Sequence, residues 1–250
     1  MAGHSHWAGI KHKKAAIDAK RGKLWSKIAR TLISAAASGG GDPDTNLALR
    51  YAIDKAKEAN MPKDTIEKAI KKGTGDLEGV RYEEVLYEGY APGGVAIMCE
   101  ALTDNRNRTA SELRHVFDKR GGSLGTAGCV AWMFQKKGLF TVDATTVDEE
   151  TLMELALDAG ADDVKNNEGE FEITCPLDAF QSLKIALAEK EIATQVAEVS
   201  QVPENLVTVD DESVARKVLA LMEALEDNDD VQNVSANFDI PDQVLQKLDS

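Results

Sequence analysis

Hydrophobic positions recur at three- and four-residue spacings through the first quarter of the chain, and then the period drops to two. Trp25, Ile28, Leu32 and Ile33, with Leu24, fall on one face of a helix read over residues 15–37. Ser38 and three glycines break it, and Asp42 with Pro43 supplies an N-cap and first turn for a second helix striped by Leu49, Ala52, Ile53 and Ala56. A third begins near Met61 and Pro62, uses Ile66, Ala69 and Ile70, and stops at Gly73 as its C-cap glycine. Residues 73–79 read as a linker. Residues 1–14 hold no helical period and read as an arm, mobile or ordered by binding.

Beyond the linker the pattern alternates. Strands are expected at 82–90 and 95–102, joined through the turn Pro92-Gly93-Gly94. A helix at 109–120 points Leu113, Val116 and Phe117 inward. A glycine-rich loop leads to strands at 130–134 and 138–142, then a helix at 148–158, a strand at 170–175, a helix at 177–190 and a strand at 195–199. A strand at 206–209, a helix at 212–225 and a strand at 231–238 close the chain. Many neighbouring strands favour mixed or antiparallel sheets, so the expected class is α+β: a helical three-helix N-terminal domain followed by two ferredoxin-like α+β domains. The expected partition is 1–79, then 80–132 together with 207–250, with 133–206 inserted between the two parts.

Charge changes the picture more than composition does. The chain carries a net charge of -14, which by itself opposes phosphate. Its first thirty residues nevertheless hold eight cations, Lys11, Lys13, Lys14, Lys20, Arg21, Lys23, Lys27 and Arg30, against the single acid Asp18. A solvated helix face usually mixes both signs. Here the cations are interleaved with His4, His6, Trp7, His12 and Trp25, and rings that stack beside groups that neutralise phosphate suit a polynucleotide. Lys11, His12, Lys13, Lys14, Lys20, Arg21, Lys23, Lys27 and Arg30 are therefore the expected nucleic-acid contacts. Arg106 and Arg108, in a polar run ahead of a helix, form a secondary anion site or belong to a capping loop begun by Asn107 or Thr109.

Other chemistry is thin. Cys99, Cys129 and Cys175 are scattered and odd in number, and read as reduced, mostly buried thiols. His4, His6 and His12 lack the cysteine or carboxylate company of a metal site, so no metal and no cofactor is expected. The glycine-rich loop lacks the Lys-Ser/Thr of a P-loop, and no nucleophile motif is present. An enzyme would have to work in a cleft between the α+β domains with Asp104, Arg106, Arg108 and His115. No window is apolar enough for a membrane span and no signal-peptide core is seen, which makes the cytoplasm the expected compartment and leaves no membrane partner.

Several stretches together resemble the YebC family of transcriptional regulators, which includes mitochondrial translational activators. They are Ala2-Gly3-His4-Ser5 with Trp7, Ile10-Lys11, Asp42-Pro43, Met61-Pro62, Tyr87-Glu88-Gly89-Tyr90 through Gly93-Gly94, Thr103-Asp104-Asn105 with Asn107-Arg108-Thr109, and Gly121-Gly122 with Leu124-Gly125. The resemblance implies three domains, nucleic-acid binding and no established catalytic residues. His6 stands where the family commonly has lysine, which lowers the fixed charge of the arm, and Cys129 stands where serine is common. The expected function is a non-enzymatic, DNA-binding transcriptional regulator, with a ribosome-associated, RNA-binding translation factor as the alternative. The transcription machinery or the ribosome is the assembly it would meet.

Overall fold

The computed structural model describes residues 19–167 and 169–248. Three helices open it: α1 (Ala19–Gly39), α2 (Leu47–Glu58) and α3 (Lys63–Thr74). Ile28, Leu32, Leu49, Ala52, Ala56, Met61, Ile66 and Ala69 are buried among them, as the three- and four-residue spacing requires. Trp25 packs at the edge and donates its indole N–H to the Ala59 carbonyl at 3.0 Å. Leu24, expected in the stripe, is exposed.

Two helix ends differ from expectation. The second helix begins at Leu47, a turn after Asp42-Pro43, because Asn46 is the better cap. Its Oδ1 accepts from the Leu49 N–H at 3.1 Å while its Nδ2 donates to Ala35 O and Gly40 O, both at 2.8 Å, so one buried side chain closes the end of α1 and opens α2. The third helix runs through Gly73 and ends at Thr74, and Gly75 takes the left-handed conformation after it, at φ 86°. Gly73 is instead a packing glycine. A Cβ there would lie 2.5 Å from the Ile33 carbonyl oxygen and 2.6 Å from the Ala36 Cβ, both fixed by α1.

This sets up an opposition of effects for Gly73→Ala. Helix propensity favours alanine by about 1 kcal/mol, whereas overpacking a close helix crossing costs about 1–3 kcal/mol or more. The clash is with backbone and cannot be relieved by a rotamer, so the variant is expected to unfold at lower urea concentration than the parent. A higher midpoint would show that the helices can part without cost.

The next strands are β1 (Glu83–Tyr90) and β2 (Ala96–Thr103), followed by α4 (Arg106–Lys119) and the short β3 (Ser123–Leu124). Then come β4 (Phe134–Asp143), α5 (Glu149–Asp158), β5 (Asp163–Asn167), β6 (Glu170–Cys175), α6 (Phe180–Glu189) and β7 (Thr194–Pro203). The chain closes with β8 (Val207–Thr208), α7 (Glu212–Glu226), β9 (Val231–Ala236), β10 (Phe238–Asp239) and α8 (Asp242–Leu248). The architecture is α+β, with N-terminal helices followed by antiparallel sheets.

One sheet has the order β3-β1-β2-β9 and the other β5-β6-β4-β7; every pairing within them is antiparallel. The parallel pair is the short β8 with β10. Strand β9 returns from beyond residue 230 to pair with β2, so the first sheet holds strands from both sides of the second. Helices α4 and α7 bury Leu113, Phe117, Val218, Leu221 and Leu225 against one face of the first sheet, over Ile97, Cys99 and Val234. Helices α5 and α6 cover the second with Leu152, Ala156, Leu183 and Leu187, over Phe140, Val142, Phe171 and Ile173.

The strands expected at 130–134 and 138–142 are one strand, β4, preceded by a single 3-10 turn at Ala131–Met133. Gly138 sits inside it, where a Cβ would be 2.5 Å from Cys175 Sγ, so this glycine makes room for a neighbour and does not start a new strand. No helix among the described residues is long and apolar enough to cross a membrane.

Candidate nucleic-acid interface

The periodicity that buries Ile28 and Leu32 turns Lys23, Lys27, Arg30 and Thr31 onto a different face of α1. These side chains meet the end of α7, the turn after it and the start of β9. Lys23 Nζ contacts Asp227 Oδ1 at 3.1 Å and the Asp227 carbonyl at 3.2 Å. Lys27 Nζ donates to the Glu226 carbonyl at 2.6 Å, Arg30 Nη1 lies 3.3 Å from Asp230 Oδ1, and Thr31 Oγ1 is 3.2 Å from Gln232 Oε1. The Arg30 guanidinium also stands over the Tyr82 ring at 5.7 Å.

Asp230 is the hub. Its other oxygen accepts from Arg108 Nη2 at 2.7 Å, Thr109 Oγ1 at 2.6 Å and Thr103 Oγ1 at 3.2 Å, and its side chain is only 4% exposed. Burial alone would push this carboxyl up. The hydrogen bonds from Thr109 and Arg108 and the charges of Arg108 and Arg30 outweigh it and hold Asp230 below its ordinary value. An open cleft of about 460 Å³ runs between these elements, with Lys23, Arg30 and Arg108 facing Glu112, Asp227 and Asp230.

The expected contact residues are thus divided. Lys11, His12, Lys13 and Lys14 lie outside the described residues. Lys20 and Arg21 occupy the first turn of α1. Lys23, Lys27 and Arg30 are each engaged by an oxygen of the chain's own 226–230 segment. The physical reason is charge complementarity with an acidic body that local reading of α1 could not place.

Arg106 and Arg108 do not converge on a common anion either. Arg108 pairs with Asp104 at 2.8 Å and Asp230 at 2.7 Å, with Glu112 at 3.8 Å, while Arg106 turns to Glu83 at 3.9 Å. The helix start is capped by Asn105, whose Oδ1 accepts from the Arg108 N–H at 3.0 Å, and not by Asn107 or Thr109. Thr109 spends its hydroxyl on Asp230 and Thr103.

For an enzyme the same neighbourhood offers little. Asp104 is held by Arg108, and His115 is exposed on α4. Among the described residues no three His, Cys, Asp or Glu side chains cluster as a metal site. The three cysteines are free thiols. Burial pushes Cys99 far up, Cys175 up to about 11 and Cys129 up as well, so none is a ready thiolate.

One cationic face was missed. Lys68, Lys71 and Lys72 sit three and four residues apart on α3, all exposed, and their ammonium groups make no ion pair among the described residues. Their spacing on a helix was a legible signal. Lysines in a last turn also complement the helix dipole, so spacing alone does not separate a ligand face from a dipole-complementing one.

Comparison with known proteins agrees on one family. Residues 82–238 match the model described as the TACO1/YebC second and third domain, and residues 5–76 match the TACO1/YebC protein N-terminal domain. A protein of Syntrophobacter fumaroxidans is 55% identical over 248 residues, spanning 99% of this chain and all of that one. One of Natranaerobius thermophilus is 57% identical over 249 residues, spanning 98% and 99%. Both bear the name "Probable transcriptional regulatory protein". The crystal structure of a conserved hypothetical protein from Aquifex aeolicus, 52% identical, superposes with a TM-score of 0.85 over 94% of this chain and 97% of that one.

Proposed function

The chain belongs to the TACO1/YebC family, and from that premise we propose that it is a non-enzymatic regulator of gene expression that holds DNA or RNA through its N-terminal residues. The observation that carries this is the segregation of charge: eight cations against one acid in the first thirty residues of a chain whose net charge is -14. Lys11, His12, Lys13, Lys14, Lys20 and Arg21 form the leading part of the contact. Lys68, Lys71 and Lys72 add a second, exposed row on the same helical bundle. The relatives' name supports a regulatory role.

Titrating the protein against a hairpin RNA, a single-stranded DNA and a duplex DNA across a salt series tests it. For about five phosphates contacted, log affinity falls with log salt at a slope of about -4 to -5 on duplex and somewhat less on single strands. Salt-independent binding, or none to any probe, defeats the reading.

A second reading, a ribosome-associated translation factor, is favoured by the composition of α1. Its sequence contains no Asn or Gln, the side chains that read adenine edges, so its cations suit phosphate positioning over base readout. Co-sedimentation with ribosomes in low salt and loss in high salt is the expected outcome for this version. Recovery solely with chromosomal DNA eliminates it.

A further inference from the structure

The cations assigned to polyanion on α1 are held by the chain's own oxygens. Lys23 meets the Asp227 carboxylate and carbonyl, Lys27 the Glu226 carbonyl, and Arg30 the Asp230 carboxylate. Lys23, Lys27 and Arg30 are spaced four and three apart, so they form one stripe along the helix. Against that stripe the 226–230 segment lays a row of anionic and carbonyl oxygens, the same chemistry a phosphodiester backbone offers to ammonium and guanidinium groups.

We infer that the 226–230 segment is an internal stand-in for nucleic acid: it and phosphate compete for Lys23, Lys27 and Arg30, so polyanion binding along α1 and docking of α1 on this segment exclude one another. The inference rests on the reading under Proposed function. It makes the docked form a self-occupied state and nucleic-acid binding an opening of the helical bundle away from α7 and β9.

The contact is built to yield in steps. Lys23 and Asp227 are 49% and 68% exposed, so water screens their pair and phosphate can take the lysine at little cost. Arg30 and Asp230 are more enclosed, at 19% and 4%. Removing Arg30 still leaves Asp230 bonded to Arg108, Thr109 and Thr103. No buried charge is stranded when α1 departs, which is the condition for a contact of this kind to be reversible.

The test compares the full chain with Asp227→Asn and with Asp158→Asn, an exposed acid at the end of α5 on the other sheet's helical layer. Binding to a hairpin RNA and to a duplex DNA of equal length is read by fluorescence anisotropy at low salt. Losing one exposed competitor should tighten binding about two- to fivefold in Asp227→Asn, and Asp158→Asn should match the parent. Hydrogen exchange should also quicken at the amides of 226–230 when the parent takes up the nucleic acid it binds. Tightening on either probe supports the competition. Equal affinity of Asp227→Asn and parent, equal tightening in both variants, or unaltered exchange at 226–230 in the bound parent overturns it while leaving the nucleic-acid reading standing. Absence of binding by all three proteins brings down that reading and this inference together.

Discussion

Asp230→Ala is expected to lower the unfolding free energy by about 3 kcal/mol, the low end of the 3–5 kcal/mol that breaking a buried ion pair costs. The low end applies because the stranded partners differ. Arg108, 44% exposed, can return to water, whereas Arg30 is largely covered, and Thr103 and Thr109 are fully buried with only each other left as side-chain partners. Asp230→Asn keeps an acceptor but loses the charge, and should fall between parent and alanine. Because the folded carboxyl is held below its ordinary 3.8, its contribution is complete above that pH. It is lost as pH falls through the lowered native value. Urea titrations followed by circular dichroism at neutral pH and at successively lower pH check both statements. The gap between parent and Asp230→Asn should narrow as acid is added. An alanine variant within about 1 kcal/mol of the parent, the scale of an exposed pair, would refute the hub.

Much of this neighbourhood could be read locally, and what could not shows where local reading ends. The stripe of Ile28, Leu32 and Ile33 was legible because a helix buries residues at fixed spacings, and the cations beside it were legible as charge. The identity of their partners was not, since Asp227 and Asp230 lie about two hundred residues away and only the return of β9 beside β2 brings them to α1. Breaker residues misled in a consistent way. Gly73 reads as the end of a helix and Gly138 as the start of a strand, yet both are packing glycines within regular elements, because glycine signals close approach as readily as it signals a turn. Strand β5, with Val164 its one apolar residue, has no alternation to detect and forms at an edge through pairing with β6. Helix α8 is one of the shorter helices and follows Pro241, and its register is set by Val244 and Leu245 packing onto the first sheet's core.

Glu88 is a residue whose place local reading does not reveal. In a strand of alternating pattern its charge suggests a solvent-facing position, yet it is 4% exposed. Its carboxylate accepts from the backbone N–H groups of Gly128 at 2.6 Å, Val130 at 2.8 Å and Ala131 at 2.8 Å. These bonds draw residues 128–131 out of any strand pairing, which is why β4 starts at Phe134 and not at Val130. Burial would raise the carboxyl, but the three N–H donors outweigh it and hold Glu88 below its ordinary 4.5. Glu88→Ala strands the Val130 and Ala131 donors, while the exposed Gly128 can turn to water. At about 1–3 kcal/mol for each donor left unpaired, the expected loss is about 2–6 kcal/mol. Glu88→Gln should recover part of it, because one amide oxygen can still accept while the NH₂ faces a donor. The loss should also be local: amide exchange at Val130 and Ala131 should accelerate more than exchange in α5 and α6, which pack on the other sheet. Unchanged protection at those two amides in Glu88→Ala would mean that the backbone finds other acceptors there, and that the carboxylate does not set the start of β4.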